Sequence, residues 1–409
     1  MSEDAHLIVG GVLLLVSLAS GLYWGAGLRQ IVRTRRLLPT ARDGVEIGER
    51  SPPTGRVCVV VPAHNEREKI GALIASLRAQ DYADLRVVLA LDRCTDGTPE
   101  VAREAVGGDD RFEIVEIDSC PQGWAGKVHA VFEGVARSAG AKDADWLLFT
   151  DADTVFDPAC VRATLAIAQE RGDGLLSLLS TLTTARWYER FVQASCGLEL
   201  VRQYPPLKAS LKDASQRRAF ANGQFMLFRR DVYEAAGGHA GVRDELLEDI
   251  ALARRVRDVG AGASMLLADG MLSCAMYDDW AEFRKGWKRI FTEAANRKAG
   301  RLRKHAWRVR AVSTGLPLVA LAGAGLGAWE VSQGRTWGWA CVVVGMAALG
   351  VWLVVMGITA RAGGGSAWRA PLAGVGAWLT GSILLEAARD LEAGRPTSWG
   401  GREYARRAR

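Results

Sequence analysis

Three stretches of this chain carry no charge over a length sufficient to cross a lipid bilayer. Residues 7–28 (LIVGGVLLLVSLASGLYWGAGL), 311–329 and 336–360 (TWGWACVVVGMAALGVWLVVMGITA) contain only uncharged side chains. A helix needs about 20 mainly apolar residues to cross a hydrocarbon core, where backbone polar groups must be satisfied internally. Each stretch is therefore expected to span a membrane as a helix. A fourth, from Ala370 to Leu385, is shorter before Glu386 and Arg389 interrupt it. Residues 370–388 are accordingly expected to lie in the membrane interface or to re-enter.

Charge orients these segments. Glu3 and Asp4 precede the first span, and Arg29, Arg33, Arg35, Arg36 and Arg42 follow it, a pattern of an anchor rather than a cleaved leader. A second basic cluster, Arg301, Arg303, Lys304, Arg308 and Arg310, precedes the second span. The expected organisation is an anchor (1–28), a basic linker (29–54), a soluble α/β domain (55–278), an amphipathic interfacial helix with a basic linker (279–310), two spans (311–329 and 336–360), the interfacial or re-entrant segment (370–388) and a basic cytoplasmic tail (389–409). The positive-inside rule then implies a multi-pass protein of the cell's inner membrane with its soluble domain in the cytoplasm. The net charge of +6 comes largely from the juxtamembrane arginines, and no basic-aromatic surface for nucleic acid is evident. Seven cysteines without a C-x-x-C pair fit free thiols.

Between Gly55 and about Lys298, strands and helices alternate. RVCVVVP (56–62), RVVLALD (86–92), FEIVEI (112–117) and WLLFTDAD (146–153) read as buried strands. Helical spacing follows each, as at Ile70, Leu73, Ile74 and Leu77. The predicted fold class is α/β with a mainly parallel sheet, in which ligands bind beyond the C-terminal strand ends. Pro62–Glu66, Asp92 and the pair Asp151/Asp153 would then converge on one crevice. No G-x-G-x-x-G follows the first strand and no Walker lysine is present, which disfavours dinucleotide and P-loop sites. His64, His129 and His239 lack metal-type spacing, and nothing supports a nucleophilic triad.

Asp151 and Asp153 are hard oxygen ligands suited to Mg²⁺ or Mn²⁺ shared with phosphate oxygens. Asp92 is placed to accept from a base or ribose, while Asp96 reads better as a cap. Lys127 begins a helix, either facing a phosphate or simply exposed. Glu248 and Asp249 point about 100° apart on their helix; they are either first-turn surface acids or, if one faces the crevice, a general base. Residues 279–297 form a basic amphipathic helix with Trp280, Phe283, Trp287, Ile290, Phe291 and Ala294 on one side, read as lying on the bilayer. Lys288 and Arg289 could also reach a diphosphate.

Taken in order, VVVPAHNE, LDRCTDGT, GWAGK, DADT, ANGQFMLFRRDVYEAAGGH, LLEDIALARRV and MYDDWAEFRKGWKRI resemble the family 2 glycosyltransferases of GT-A fold. Within them the chain is most similar to membrane-bound enzymes of the carotenoid, hopanoid-associated and ceramide groups. The resemblance implies inverting, single-displacement transfer from a nucleotide-diphosphate sugar, most commonly a UDP-sugar, to a hydroxyl of a membrane lipid such as a carotenoid, hopanoid or sphingolipid. It assigns Pro62–Glu66 and Asp92 to the nucleotide, Lys127 to its vicinity, and Asp153 with Asp151 to the divalent ion and diphosphate. Asp249, beside Glu248, takes the place of the general base. Two departures stand out. The usual second aspartate after Asp92 is Arg93, and the Q-x-x-R-W motif is missing, with GWKRI (286–290) near its place, so that a diphosphate or acceptor role for Trp287, Lys288 or Arg289 lacks a motif behind it. A processive polysaccharide synthase and a catalytically inactive membrane scaffold are the alternative readings.

Overall fold

A computed structural model describes residues 3–210, 219–399 and 402–404; the expected basic tail beyond Tyr404 lies outside the described residues. The chain begins with a long helix, α1 (Glu3–Leu37), and then enters an α/β unit. Its first half runs β1 (Val57–Ala63), α2 (Ile70–Arg78), β2 (Leu85–Asp92), α3 (Thr98–Val106), β3 (Phe112–Ile117), α4 (Gly126–Arg137) and β4 (Trp146–Phe149). Then follow β5 (Thr154–Phe156), α5 (Cys160–Arg171), β6 (Leu175–Leu179), β7 (Thr181–Leu182), α6 (Ala194–Gln203), β8 (Met226–Arg229), α7 (Glu248–Asp258), β9 (Ala263–Leu267) and β10 (Leu272–Cys274). After α8 (Trp280–Ala294), α9 (Ala299–Arg310) passes through a π-helical turn into α10 (Leu316–Ser332), and α11 (Gly338–Ala362) and α12 (Ala373–Glu392) follow.

A seven-stranded sheet has the order β3-β2-β1-β4-β8-β6-β9. Its pairings are parallel except those of β8, which runs against β4 and β6. This is the mainly parallel α/β sheet expected from the alternation of strands and helices. The β-branched run of β1 is buried on both faces because helices cover both. Val57, Val59 and Val61 join one core cluster, and Cys58 and Val60 join the other, as the two-residue strand period requires. Register brings the strand ends together: Ala63 lies beside Leu91, and Val60 beside Phe149. Because β8 is antiparallel, with Met226 opposite Phe149, the residues just before β8 also emerge at that edge. A second sheet, β5-β10-β7, places Cys274 opposite Thr154, next to the Asp151–Asp153 turn.

Four helical segments, Asp4–Leu37, Ala299–Ser332, Gly338–Ala362 and Ala367–Glu392, are long and apolar enough to cross a membrane. The helices α1, α10 and α11 pack on one another and expose large apolar side chains outward, among them Leu15, Leu22, Leu318, Leu321, Val343 and Val354. The last segment behaves differently. Helix α12 runs antiparallel to α9 and the turn after it: Arg303 pairs with Glu392, Arg310 Nη2 donates to Ser382 Oγ at 2.8 Å, and Thr314 Oγ1 donates to Gly374 O at 2.7 Å.

Helix α8 also departs from the expected picture. Its apolar face is turned onto the protein: Phe283, Trp287 and Phe291 are buried with Ile383, Leu384, Ala387 and Leu391 of α12. Each fully buried aromatic of this kind contributes on the order of 1.5–3 kcal/mol. Arg284–Glu386 (2.5 Å) and Lys288–Asp390 (2.6 Å) form successive rungs beside that seam. The periodicity correctly marks a face to be buried, and the covering surface is a helix about a hundred residues further along the chain.

Candidate active site

The turn between β4 and β5 carries Asp151 and Asp153. Two threonine hydroxyls tie it down: Thr150 Oγ1 donates to Gln224 O at 2.8 Å, and Thr154 Oγ1 donates to Asp151 O at 2.8 Å. Asp151 then meets Lys127 at the start of α4, with Nζ 2.6 Å from Oδ1. The same ammonium lies 2.7 Å from Glu248 Oε1 at the start of α7. Burial opposes the charge on Lys127, but Asp151 and Glu248 outweigh it and hold the lysine's pKa well above its ordinary value. Lys127 therefore bridges two carboxylates.

Next to Glu248, the Asp249 carboxylate accepts the Gly223 N–H at 3.0 Å and the Ile250 N–H at 2.7 Å. Burial, reinforced by Glu248, pushes its pKa up to about 7, while Lys127 pulls the other way. Gly223 packs closely against this network. A Cβ there would stand 2.9 Å from Lys127 Nζ and 3.4 Å from Glu248 Oε1. Asp153 is likewise raised to about 7, by burial first and then by Asp151 and Glu66. Its Oδ1 is buried without a hydrogen-bond partner among the described residues. The buried thiol of Cys274 lies beside this carboxylate, and its sulfur accepts the Gln224 Nε2–H at 3.0 Å.

The residues that the resemblance assigns to the nucleotide form a second group. The loop after β1 is stitched to the loop after β2: Thr95 N–H donates to Asn65 Oδ1 at 2.8 Å, and Glu66 N–H to Thr98 Oγ1 at 2.9 Å. Asn65 adopts a left-handed φ of 59° to make this turn. Asp96 accepts the Thr98 N–H at 3.0 Å, the capping role anticipated for it. Asp92 is buried, and Arg93 folds back on it with a two-pronged contact, Nε at 2.8 Å and Nη2 at 2.6 Å. The residue standing where a second aspartate is usual thus neutralises the first. Burial raises the pKa of Glu66, with Lys69 opposing. Lys69 also approaches Asp278 at 3.4 Å.

Asp151, Asp153, Lys127, Glu248 and Asp249 are thus brought into one network at the strand ends, and Pro62–Glu66 and Asp92 lie together on the neighbouring loops. Trp287 lies in the core under α8, and Lys288 is engaged by Asp390, so neither faces the crevice. The charge of Arg289 acts on the buried Tyr277, as does that of Asp153. Sequence reasoning missed Gly223, Gln224 and Cys274. The run ANGQ stood out by resemblance, but nothing in its spacing announces that Gly223 must touch residues 26 positions on.

The sequence profile of the glycosyltransferase like family 2 matches residues 52–295. A 4,4'-diaponeurosporenoate glycosyltransferase from Staphylococcus aureus is 28% identical over 244 residues, covering 59% of this chain and 62% of that protein. The match thus spans less than two thirds of the relative's length. Among solved structures, the Pyrobaculum calidifontis mannosyltransferase PcManGT, in complex with GDP-Man and Mn²⁺, superposes with a TM-score of 0.48 at 17% identity, covering 94% of this chain and 97% of that one. Staphylococcus aureus TarS (residues 1–349) superposes with a TM-score of 0.41 at 15% identity, over 86% and 96%. With the family profile running through the strand-end network and across more than half of the sequence, the chain belongs to glycosyltransferase family 2.

Proposed function

We propose that this chain is a membrane-bound inverting glycosyltransferase that moves a sugar from a nucleotide-diphosphate donor, a UDP-sugar in the commonest case, to a hydroxyl of a membrane lipid. The observation that carries this reading is the Lys127 bridge. It joins the metal-type carboxylates at the end of β4 to the Glu248–Asp249 pair at the start of α7, so that leaving-group and proton-accepting chemistry share one crevice. Asp249 is the general base. Its carboxylate has lone pairs left after accepting two backbone N–H groups, and a pKa near 7 suits a base operating near neutrality. As the acceptor oxygen bonds to the anomeric carbon, the bond from that carbon to the diphosphate breaks, and the acceptor proton passes to Asp249.

The residues fit a divalent cation. Asp153 presents a buried carboxylate oxygen without a partner, and no three His, Cys, Asp or Glu side chains among the described residues form a closed cage. That donor set suits Mg²⁺ or Mn²⁺ held by one or two carboxylates and completed by diphosphate oxygens. When bound, such an ion supplies charge neutralisation for the departing diphosphate. Asp153 and Asp151 would hold it, with Cys274 donating to Asp153 and Lys127 steadying Asp151.

The membrane arrangement supports a lipid acceptor, and the carotenoid acceptor in the Staphylococcus relative's name favours an apolar one. Because α12 lies along the basic α9 rather than along α10, it supports the interfacial reading of 370–388. The α/β unit and the tail then share the cytoplasmic face.

The test is transfer of label from a panel of radiolabelled sugar nucleotides in membranes carrying the protein, with Mn²⁺, Mg²⁺ or EDTA, followed by separation into organic, polymeric and aqueous fractions. Metal-dependent label in the organic phase is expected. Label in high-mass polymer would replace this reading with a processive synthase. Organic-phase transfer unchanged by Asp249→Asn would remove the base assignment.

A further inference from the structure

At the end of α11 a half-open cavity lies between that helix, the π-helical turn Glu189–Gln193 ahead of α6, and the short helical segment Ala367–Leu372 ahead of α12. Its walls are apolar at Phe191, Met356 and Leu372, its charged lining groups are Arg190 and Arg369, and no carboxylate lines it. Arg369 Nη1 is buried without a hydrogen-bond partner among the described residues, and its guanidinium stacks on the neighbouring Trp368 ring at 5.4 Å. A buried cationic N–H with no acceptor, on a residue that lines a cavity with a second cation and no anion, asks for an anionic ligand.

The level of the cavity says which kind. Trp368 is 71% exposed in the turn that follows α11, a helix long enough to span, and tryptophans at such ends mark the membrane–water interface. Leu372 and Val354 continue the exposed apolar surface. Basic pockets between helices at this depth on the cytoplasmic side are suited to lipid headgroups.

We propose that this cavity binds the phosphate of an anionic membrane phospholipid, held by Arg369 and Arg190, with an acyl chain along the Met356–Leu372 wall. The proposal rests on the membrane-bound reading above and goes beyond it, since the ligand is neither donor nor acceptor. The site touches the smaller sheet. Gly364, at φ 83°, passes so close to β7 that a Cβ would stand 2.7 Å from Leu182 O. Arg190 Nε donates to Thr184 O at 3.0 Å, just past β7. As β7 pairs with β10, which carries Cys274, a lipid held here seats the membrane hairpin against the strands beside Asp153.

The experiment uses the full chain extracted from washed membranes and offered equimolar phosphatidylglycerol and phosphatidylcholine, with lipid retention read by native mass spectrometry. Selective phosphatidylglycerol retention is expected, cut about tenfold or more by Arg369→Gln, in line with loss of a charge-assisted contact. Met356→Trp, which blocks the apolar wall and leaves both arginines, should cut it as well. Arg361→Gln removes an exposed charge near the same helix end, outside the cavity, and should leave retention unchanged. Equal retention of both lipids, an Arg369→Gln chain that keeps its phosphatidylglycerol, or an Arg361→Gln loss as large as that of Arg369→Gln would overturn the proposal. So would full displacement by millimolar inorganic phosphate, which would assign the cavity to a soluble anion. Recovery of the chain in the soluble fraction would defeat the membrane reading itself, an outcome distinct from a membrane-resident chain indifferent to lipid charge.

Discussion

Replacing Lys127 by methionine keeps the length of the side chain and removes the one cation shared by Asp151 and Glu248. Both ion pairs are short, at 2.6 and 2.7 Å, and the side chains of Lys127, Asp151 and Glu248 are only 23%, 30% and 5% exposed. Breaking a buried pair from one side costs about 3–5 kcal/mol, because a charge is left without compensation. The stability gap between wild type and Lys127→Met should therefore be about 3–5 kcal/mol at pH 7. Denaturant unfolding of the purified chains measures it. The pH–rate profile gives a second reading. Lys127 lowers the pKa of Asp249, so its loss should move the acid limb of kcat/KM above the wild-type position near 7. A gap below about 1 kcal/mol, as expected of an exposed pair, or an acid limb that stays in place, would mean that Lys127 does not bridge these carboxylates.

Three further outcomes follow from the same geometry. Burial holds Asp249 protonated below about pH 7, so wild-type kcat/KM should rise about tenfold per pH unit from acid and level off above 7, and Asp249→Asn should lose about 10²–10⁴ in kcat, both read from initial rates. Cys274→Ser keeps a donor to Asp153 and should preserve Mn²⁺ affinity, whereas Cys274→Ala should weaken it about tenfold with the fold intact; electron paramagnetic resonance of free Mn²⁺ decides, and equal affinities would assign Cys274 to packing alone. The double change Arg284→Ala and Lys288→Ala removes both rungs between α8 and α12 while leaving the aromatic seam, so α12 should become sensitive to limited proteolysis at a modest stability cost of about 1 kcal/mol; unchanged cleavage would assign the whole contact to the seam.

What could be read from the sequence, and what could not, divides along the range of the interactions. The run of β1 announces a buried strand because successive valines serve both faces, and Asp92 and Asp151 follow as strand-end residues by local pattern alone. Asp96 was legible as a cap for the same reason, since its partner is two residues away. The Lys127 bridge was not legible. Its two partners lie 24 and 121 positions downstream, and only the sheet order, with β8 inserted antiparallel beside β4, delivers the segment before β8 and the start of α7 to one edge. Arg93 was visible as a departure, but its fold back onto Asp92 depends on the left-handed φ of 49° that turns its side chain around. Helix α8 makes the same point energetically. An amphipathic pattern states that one face must leave water, and lipid and protein satisfy that demand equally well. Here α12 meets it, and Glu386 and Asp390 of that helix pair Arg284 and Lys288 at the flank. Glu386, the first charge to interrupt residues 370–388 in the sequence, is thus also one of the groups that hold α12 against the α/β unit.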